Sequence, residues 1–500
     1  MVKLAVGNKG VVSDHPLATL VGCRILEEGG NAFDAAIAVS AVLSVVQPHM
    51  GGPGGDAFLL GFVGDEVLAY MSSGRSPSGF NAEEFVRVAP TRGPLTVTVP
   101  GLVGLWNTIY ETYATMPLET LLKPAIKLAY SGFRVGWSLA EASQAFEAEL
   151  SQYRWSKYFK GLKLGNLYKN LEMASTLRIL ASRGFDEFYY GELAEKVVTD
   201  LIDQGVNIGL DDLMEHEVRK VSPLSLELDN IKLYELPPNT QGLSTLQLIS
   251  ALYELELYKY DFNSPERIIA WSEPTKHVYE FRDTHLGDPD YVKIDPQSYV
   301  RYSSITKKAP VEDSSLSNEL KSSDTTFFIV SDGEALIGFI QSLFYGFGSG
   351  LVAAGFPVQN RAIGFAKRFG LPNSPAPKKL PLHTLSVLGV DVGKEKYIIG
   401  CVGGDLRPQL HLRIFENIFI YRMHIAKATS APRFVYTSFE TVPEVIVEAP
   451  LKLPVTTSIR AKSVEYYGSK GHVHVGIIDK QGRLELACDP RSEGIAQAIQ

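Results

Sequence analysis

The apolar and polar positions divide the chain into blocks of different character. Pro16 to Glu28 reads as a helix stopped by Gly29-Gly30, and Asn31 can cap a second helix running towards Gln47. The second helix is apolar on nearly every face, which predicts burial all round. A glycine-rich loop follows from Met50 to Phe58, MGGPGGDAF. It lacks the GxxxxGK(S/T) spacing and the lysine of a phosphate loop, so a tight structural turn is expected. Residues 100 to 280 read as mainly helical, punctuated by Gly and Pro near Pro237-Pro238.

The pattern breaks between residues 301 and 324. RYSSITKKAPVEDSSLSNELKSSD is polar, serine-rich and weakly periodic, and an exposed, mobile linker is expected there. The next residues, TTFFIV from Thr325 to Val330, are β-branched and aromatic; SDG (Ser331 to Gly333) signals a turn, and EALIGFIQSL (Glu334 to Leu343) reads as a second strand. Thr325 is therefore predicted to open a β-hairpin at the end of a cleavable segment. Two further buried strands are expected at Lys396 to Asp405, ending in a Gly-Gly turn, and at His472 to Asp479, followed by the turn Lys480-Gln481-Gly482.

Composition narrows the class without naming a function. The 500 residues are 45% hydrophobic and 21% charged, which is ordinary globular composition. A formal net charge of −8 argues against a nucleic-acid footprint, which needs a basic face. The longest apolar stretch, Ala35 to Val46, is too short to span a bilayer and carries Ser40 and Ser44. Cys23, Cys401 and Cys488 are sparse, odd in number and without metal-ligand spacing. With an N-terminus lacking the apolar core of a secretory signal, they point to the cytoplasm.

A threonine at a new N-terminus can supply both nucleophile and base. The free α-amine has a pKa of about 7.7–8.0 and can take the proton of its own hydroxyl. Before cleavage the same hydroxyl can attack the Asp324 carbonyl and shift the acyl group from N to O. Position alone does not establish this, because a Thr-Thr pair at a strand start is ordinarily β-propensity.

The motifs along the chain are what favour it. SDHPLAT, GGNAFDAAIA, TVPGLVGLW, YATMPLETLLKPAIKLAYSGF, FYYGELAEKV, LGDPDYVK, DTTFFIVSDG, FGSGLV, VGGD, SAPRF and DPRSEG occur in order. In this series the sequence resembles the γ-glutamyltransferase family of N-terminal nucleophile hydrolases. The resemblance implies an α+β fold, a four-layer αββα sandwich built jointly from a large subunit (1–324) and a small catalytic subunit (325–500). It implies cleavage between Asp324 and Thr325, with Thr325 as nucleophile and Ser342 as a hydroxyl that orients or activates it. Gly403 and Gly404 match the oxyanion-hole pair, whose backbone N–H groups hold developing charge. Arg75, in SSGRSPSGF, matches the arginine that grips a substrate carboxylate.

Departures from the family pattern bear on the substrate. Phe344 stands where γ-glutamyl enzymes carry an Asn for the substrate ammonium, and Gly364 where they carry an acidic residue. His383-Thr384 replaces a Ser-Ser pair, and Phe327 replaces a His. An ammonium would lose its charged partner, a costly loss in a buried site. IQSLFYGFGSG, VQNRAIGF, HTLS and GGDLRPQ resemble the oxamate amidohydrolase-like and acylase-like members. In that reading Asn360, Arg361, His383 and Thr384 bind the substrate with Arg75. Arg75 and Arg361 would suit a dicarboxylate or α-keto amide without an amine, and a structural salt bridge is the competing role of Arg361.

Other constellations carry less. His472 and His474 share one face of a strand, but no third metal ligand is evident and no metal is expected. Gly348-Ser349-Gly350 is not a GxSxG elbow. His15 and His49 belong to loop signatures and are expected to be structural, and no dinucleotide or Walker motif is present. The resulting expectation is a self-processing amidohydrolase or acyltransferase acting on a small-molecule amide. It would need no cofactor, no nucleic acid and no membrane, and its two fragments would form a heterodimer. A true γ-glutamyltransferase or glutathione hydrolase, and an uncleaved inactive relative with a binding or structural role, are the alternatives.

Overall fold

The computed structural model describes residues 3–308, 320, 324–440, 442–468 and 471–500. Two seven-stranded sheets form its centre. The first runs in the order Ile495–Ile499, Lys9–Ser13, Asp324–Ser331, Ala335–Phe344, Asp56–Val63, Glu66–Ser72, Arg219–Lys220. The second runs Lys3–Gly7, Leu484–Cys488, His472–Asp479, Glu395–Val402, Leu388–Asp391, Ile231–Glu235, Leu224–Leu228. Neighbours in both are antiparallel, and each sheet takes strands from both sides of the Asp324–Thr325 bond.

Strand alternation builds the layers. Along Asp324–Ser331, Phe327 and Ile329 turn inward to meet Phe58, Leu60, Ile398 and Leu486 between the sheets. Phe328 and Val330 turn outward onto the helices Pro16–Glu27 and Ala32–Val46. On the far side Gly242–Glu254, Ser272–His285 and Arg407–Phe415 cover Leu233, Val390, Ile399 and Val475. The result is the four-layer αββα sandwich. Asn31 caps Ala32–Val46 through a reciprocal pair with Asp34, and every residue of that helix is buried. No helix among the described residues is long and apolar enough to cross a membrane.

One expectation gains detail and one changes. The stretch 100–280 is mainly helical, and it also contains the strands Leu224–Leu228 and Ile231–Glu235, whose alternate leucines feed the second core. The expected linker begins with a helix, Tyr302–Lys308, in which Tyr302 and Ile305 are buried. Ser250 Oγ accepts the Tyr302 N–H at 3.2 Å and Glu254 that of Ser303 at 2.7 Å, so its first turn is satisfied by the neighbouring helix. Leu320 is buried, its N–H donating to the Thr437 carbonyl at 2.8 Å. The remainder of that linker, 309–319 and 321–323, lies outside the described residues.

Candidate active site

Thr325 is fully buried near the start of its strand. The register against Ala335–Phe344 slips there: Asp324 faces Phe344, whereas Thr326 faces Gln341. The partner strand thus carries an extra residue, and such a bulge re-aims side chains. Here it gathers three groups around Ser342 Oγ. Thr325 Oγ1 donates to Ser342 Oγ at 3.1 Å, Ser342 Oγ donates to the Asp324 carbonyl at 2.8 Å, and the Phe344 N–H donates to Ser342 Oγ at 2.8 Å. Phe344, at the end of the bulged strand, has φ of 80°, the left-handed region that a bulky side chain seldom adopts.

Beside this junction lies a cavity of about 330 Å³, whose wall includes Phe344, Gly364, Thr384 and Asp405. Behind Phe344 and Thr384 sits a buried charged cluster. The Arg361 guanidinium packs 4.1 Å from the centre of the Phe344 ring, and its Nη1 reaches Thr384 Oγ1 at 3.4 Å. Its Nε lies 4.0 Å from Asp56 Oδ2, an ion pair too long for a hydrogen bond. His383 Nε2 meets the same Asp56 oxygen at 3.0 Å, while its Nδ1 accepts the Leu385 N–H at 3.1 Å, so the proton belongs on Nε2. Burial, with Arg361 and Arg407 nearby, holds His383 well below its ordinary range and keeps it neutral. Burial pushes Asp56 up to about 7 despite Arg361 and the Gln359 amide.

Asp56 was not singled out from the sequence, although the motif GGDAF contains it. It stands opposite Ser342 on the adjacent strand and also accepts the N–H groups of Gly74 and Gly101. Gln241 was also missed. Its Nε2 bridges the carbonyls of Thr384 (3.0 Å) and Gly404 (2.8 Å), tying the cavity wall to the Gly-Gly turn. At that turn Gly404 has φ of 55°, and a Cβ on Gly403 would meet Leu410 Cδ1 at 2.5 Å. The two glycines follow directly on the strand Glu395–Val402.

The structure does not bring every candidate to this cavity. Arg75 lines a separate one of about 60 Å³. Its fork is taken by Asp288 at 2.8 Å and Asp290 at 3.1 Å, with the Lys378 carbonyl at 3.1 Å. Asn360 is engaged with backbone at both ends of its amide: it donates to the Thr91 carbonyl at 2.9 Å and accepts the Tyr345 N–H at 3.1 Å. His15 Nδ1 accepts the Leu17 N–H and caps a helix, and His49 bonds Ser138 at 3.0 Å.

His472 and His474 do have a third group, which the sequence did not reveal. Asp14 Oδ1 meets Nε2 of His472 at 2.5 Å and of His474 at 2.8 Å, and Asp14 Oδ2 accepts the Phe327 N–H at 2.8 Å. The histidines outweigh burial and hold Asp14 well below the usual carboxylate range. Burial opposes the charge on His474, and Cys488 and Asp14 beside it prevail, pushing it up. The cluster pins the strand two residues beyond Thr325.

Comparison with known proteins places this geometry in a family. A profile described as gamma-glutamyltranspeptidase matches residues 18–499. The chain is 32% identical to the glutathione hydrolase-like YwrD proenzyme of Bacillus subtilis, over 100% of both chains. It is 30% identical to the oxamate amidohydrolase proenzyme of Klebsiella pneumoniae, over 97% of each. Among solved structures, the cephalosporin acylase from Bacillus halodurans superimposes with a TM-score of 0.87 at 26% identity, covering 99% of this chain and 97% of that one. The chain belongs to the gamma-glutamyltranspeptidase family, and is an enzyme of its N-terminal nucleophile hydrolase and acyltransferase kind.

Proposed function

We propose that the chain cuts its own Asp324–Thr325 bond and that the freed Thr325 then cleaves amides of small carboxylated acyl groups. The observation that carries this reading is the position of Ser342, bonded at once to the Thr325 hydroxyl and to the carbonyl that hydroxyl must attack. In the first step Thr325 Oγ1 adds to the Asp324 carbonyl carbon. The C–N bond breaks, the proton passes to the departing nitrogen, and an ester joins Asp324 to Thr325. Water hydrolyses the ester, leaving a carboxylate on Asp324 and an amine on Thr325. That amine then serves as base for its own hydroxyl. Attack on a substrate amide gives an acyl-threonine, with the Gly403 and Gly404 N–H groups as oxyanion donors. Water, or an amine acceptor, resolves it, and the two fragments stay together as a heterodimer.

The choice of acyl group rests on Arg361, held under the cavity wall, and on Phe344 and Gly364 at the positions where γ-glutamyl enzymes bind an ammonium. Three free, buried cysteines favour a reducing, cytoplasmic setting. The test is a substrate panel with Thr325→Ala as baseline. Release of ammonia from a carboxylated amide well above that baseline, with a γ-glutamyl anilide at the baseline rate, is expected. The reverse pattern would make the enzyme a glutathione hydrolase. Activity on neither, from a chain that stays whole, would leave a binding or structural role.

A further inference from the structure

Two arginines of the buried cluster lack the hydrogen bonds that buried guanidiniums normally make. Arg361 and Arg407 are both fully buried. Arg361 leaves Nε and Nη2 without a partner, and Arg407 leaves Nη1 and Nη2 so. Arg407 spends only Nε, on the Cys401 carbonyl at 3.0 Å. Unmet donors on a buried cation are costly, and native proteins keep few of them without a reason. The nearby carboxylates are committed elsewhere: Asp405 to Arg282 at 2.8 Å and Glu235 to His411 at 2.9 Å. Asp56 lies 4.0 Å from the Arg361 Nε, too far for a hydrogen bond, and burial raises its pKa, which weakens the counter-charge it offers. Arg407 opens the helix Arg407–Phe415, whose N-terminal dipole adds to the positive field, and it follows Gly403-Gly404 by three residues. Gln241 joins the two sides, donating to the carbonyls of Thr384, whose hydroxyl Arg361 meets, and of Gly404, three residues before Arg407, and burial, with both guanidiniums adding to it, holds His383 well below its ordinary range.

We infer that Arg361 and Arg407 together form the receptor for the acyl carboxylate, with Arg407 the second cation of the pocket in place of Arg75. This rests on the proposed amidase reading and sharpens it. The preferred acyl group is short, with its carboxylate within a few bonds of the scissile carbonyl, because Arg407 and the Gly-Gly turn are neighbours in the chain. The carboxylate enters past Phe344, whose ring covers Arg361 and whose strand partner is Asp324, the residue that becomes a chain end on cleavage.

A matched pair of amides tests this: oxamate, which carries the carboxylate, and oxamide, which does not. In Arg407→Met, with self-cleavage as the check of folding, kcat/KM for oxamate should fall about 100-fold, and that for oxamide by less than about 3-fold. Equal losses on both, or none on either, would overturn the inference. Arg407→Lys, which keeps the charge and loses the fork, is measured in parallel and should show the same selective loss, covering the case in which the Met variant does not fold. If the wild type hydrolyses neither amide, the amidase reading fails separately. Calorimetric binding of oxalate to the cleaved protein then decides: binding lost in the Arg407 variants supports the receptor, and binding retained in them, or absent in the wild type, contradicts it.

Discussion

Two buried charged clusters flank the Thr325 strand, and they differ in how completely they are satisfied. In the first, Asp14 receives His472, His474 and the Phe327 N–H, so its carboxylate is fully engaged. In the second, Asp56 meets His383 while Arg361 and Arg407 leave four nitrogens without partners. Burial taxes both, yet only the first recovers the cost within the chain. A closed cluster is a structural device that fixes the nucleophile's strand. An open one keeps donors in reserve for something that arrives, and here its Arg361 lies behind Phe344 and Thr384, two residues that line the cavity.

Substitutions should separate the two. Asp14→Ala leaves His472, His474 and the Phe327 N–H without their shared acceptor, and is expected to cost about 3–5 kcal/mol in urea unfolding; a loss under about 1 kcal/mol would show that the closed cluster is not structural. Arg361→Met should shift stability by no more than about 1 kcal/mol, since the residue is poorly paired already, while lowering turnover of a carboxylated amide about 100-fold. A large stability loss with turnover retained would exchange the roles of the clusters.

The pH dependence tests the open cluster more gently. Asp56 titrates near 7 in the fold against an ordinary 3.8, so the folded chain holds this proton after the unfolded chain has released it. Its contribution therefore lowers stability as pH rises from about 4 to about 7 and is level above that. Subtracting the Asp56→Asn stability curve from the wild-type curve should reveal that fall, and a flat difference would remove the strained carboxylate from the account. The smallest effect is expected at Arg75, whose side chain is 42% exposed in its pairs with Asp288 and Asp290. Arg75→Ala should change stability by less than about 1 kcal/mol and leave kcat/KM for the carboxylated amide within a few-fold, whereas a loss matching that of Arg361→Met would put Arg75 back in the pocket.

The hairpin at Thr325 was legible because TTFFIV, SDG and EALIGFIQSL carry local signals of strand, turn and strand. The capped, wholly buried helix after Asn31 was legible for the same reason. The strands Leu224–Leu228 and Ile231–Glu235 were hidden inside a helical stretch, although LSLEL and IKLYE alternate around Asp229-Asn230 and could have been read. The helix Tyr302–Lys308 escaped because its polar surface masks two buried anchors, Tyr302 and Ile305. The open cluster was legible only in part. Asp56 and His383 stand 327 residues apart and Asp14 and His474 460, distances that no local pattern encodes. Arg407 carried one cue, a basic residue three positions after a Gly-Gly turn, but its unmet donors exist only in the folded chain.

Everything proposed for Thr325 depends on the bond before it. Intact mass spectrometry of the purified protein after prolonged incubation tests that bond directly. The expected result is two fragments that sum to 54.9 kDa plus one water, the smaller beginning at Thr325, with Thr325→Ala remaining whole. A wild-type chain persisting as one 54.9 kDa species, or cut at another bond, would contradict the account.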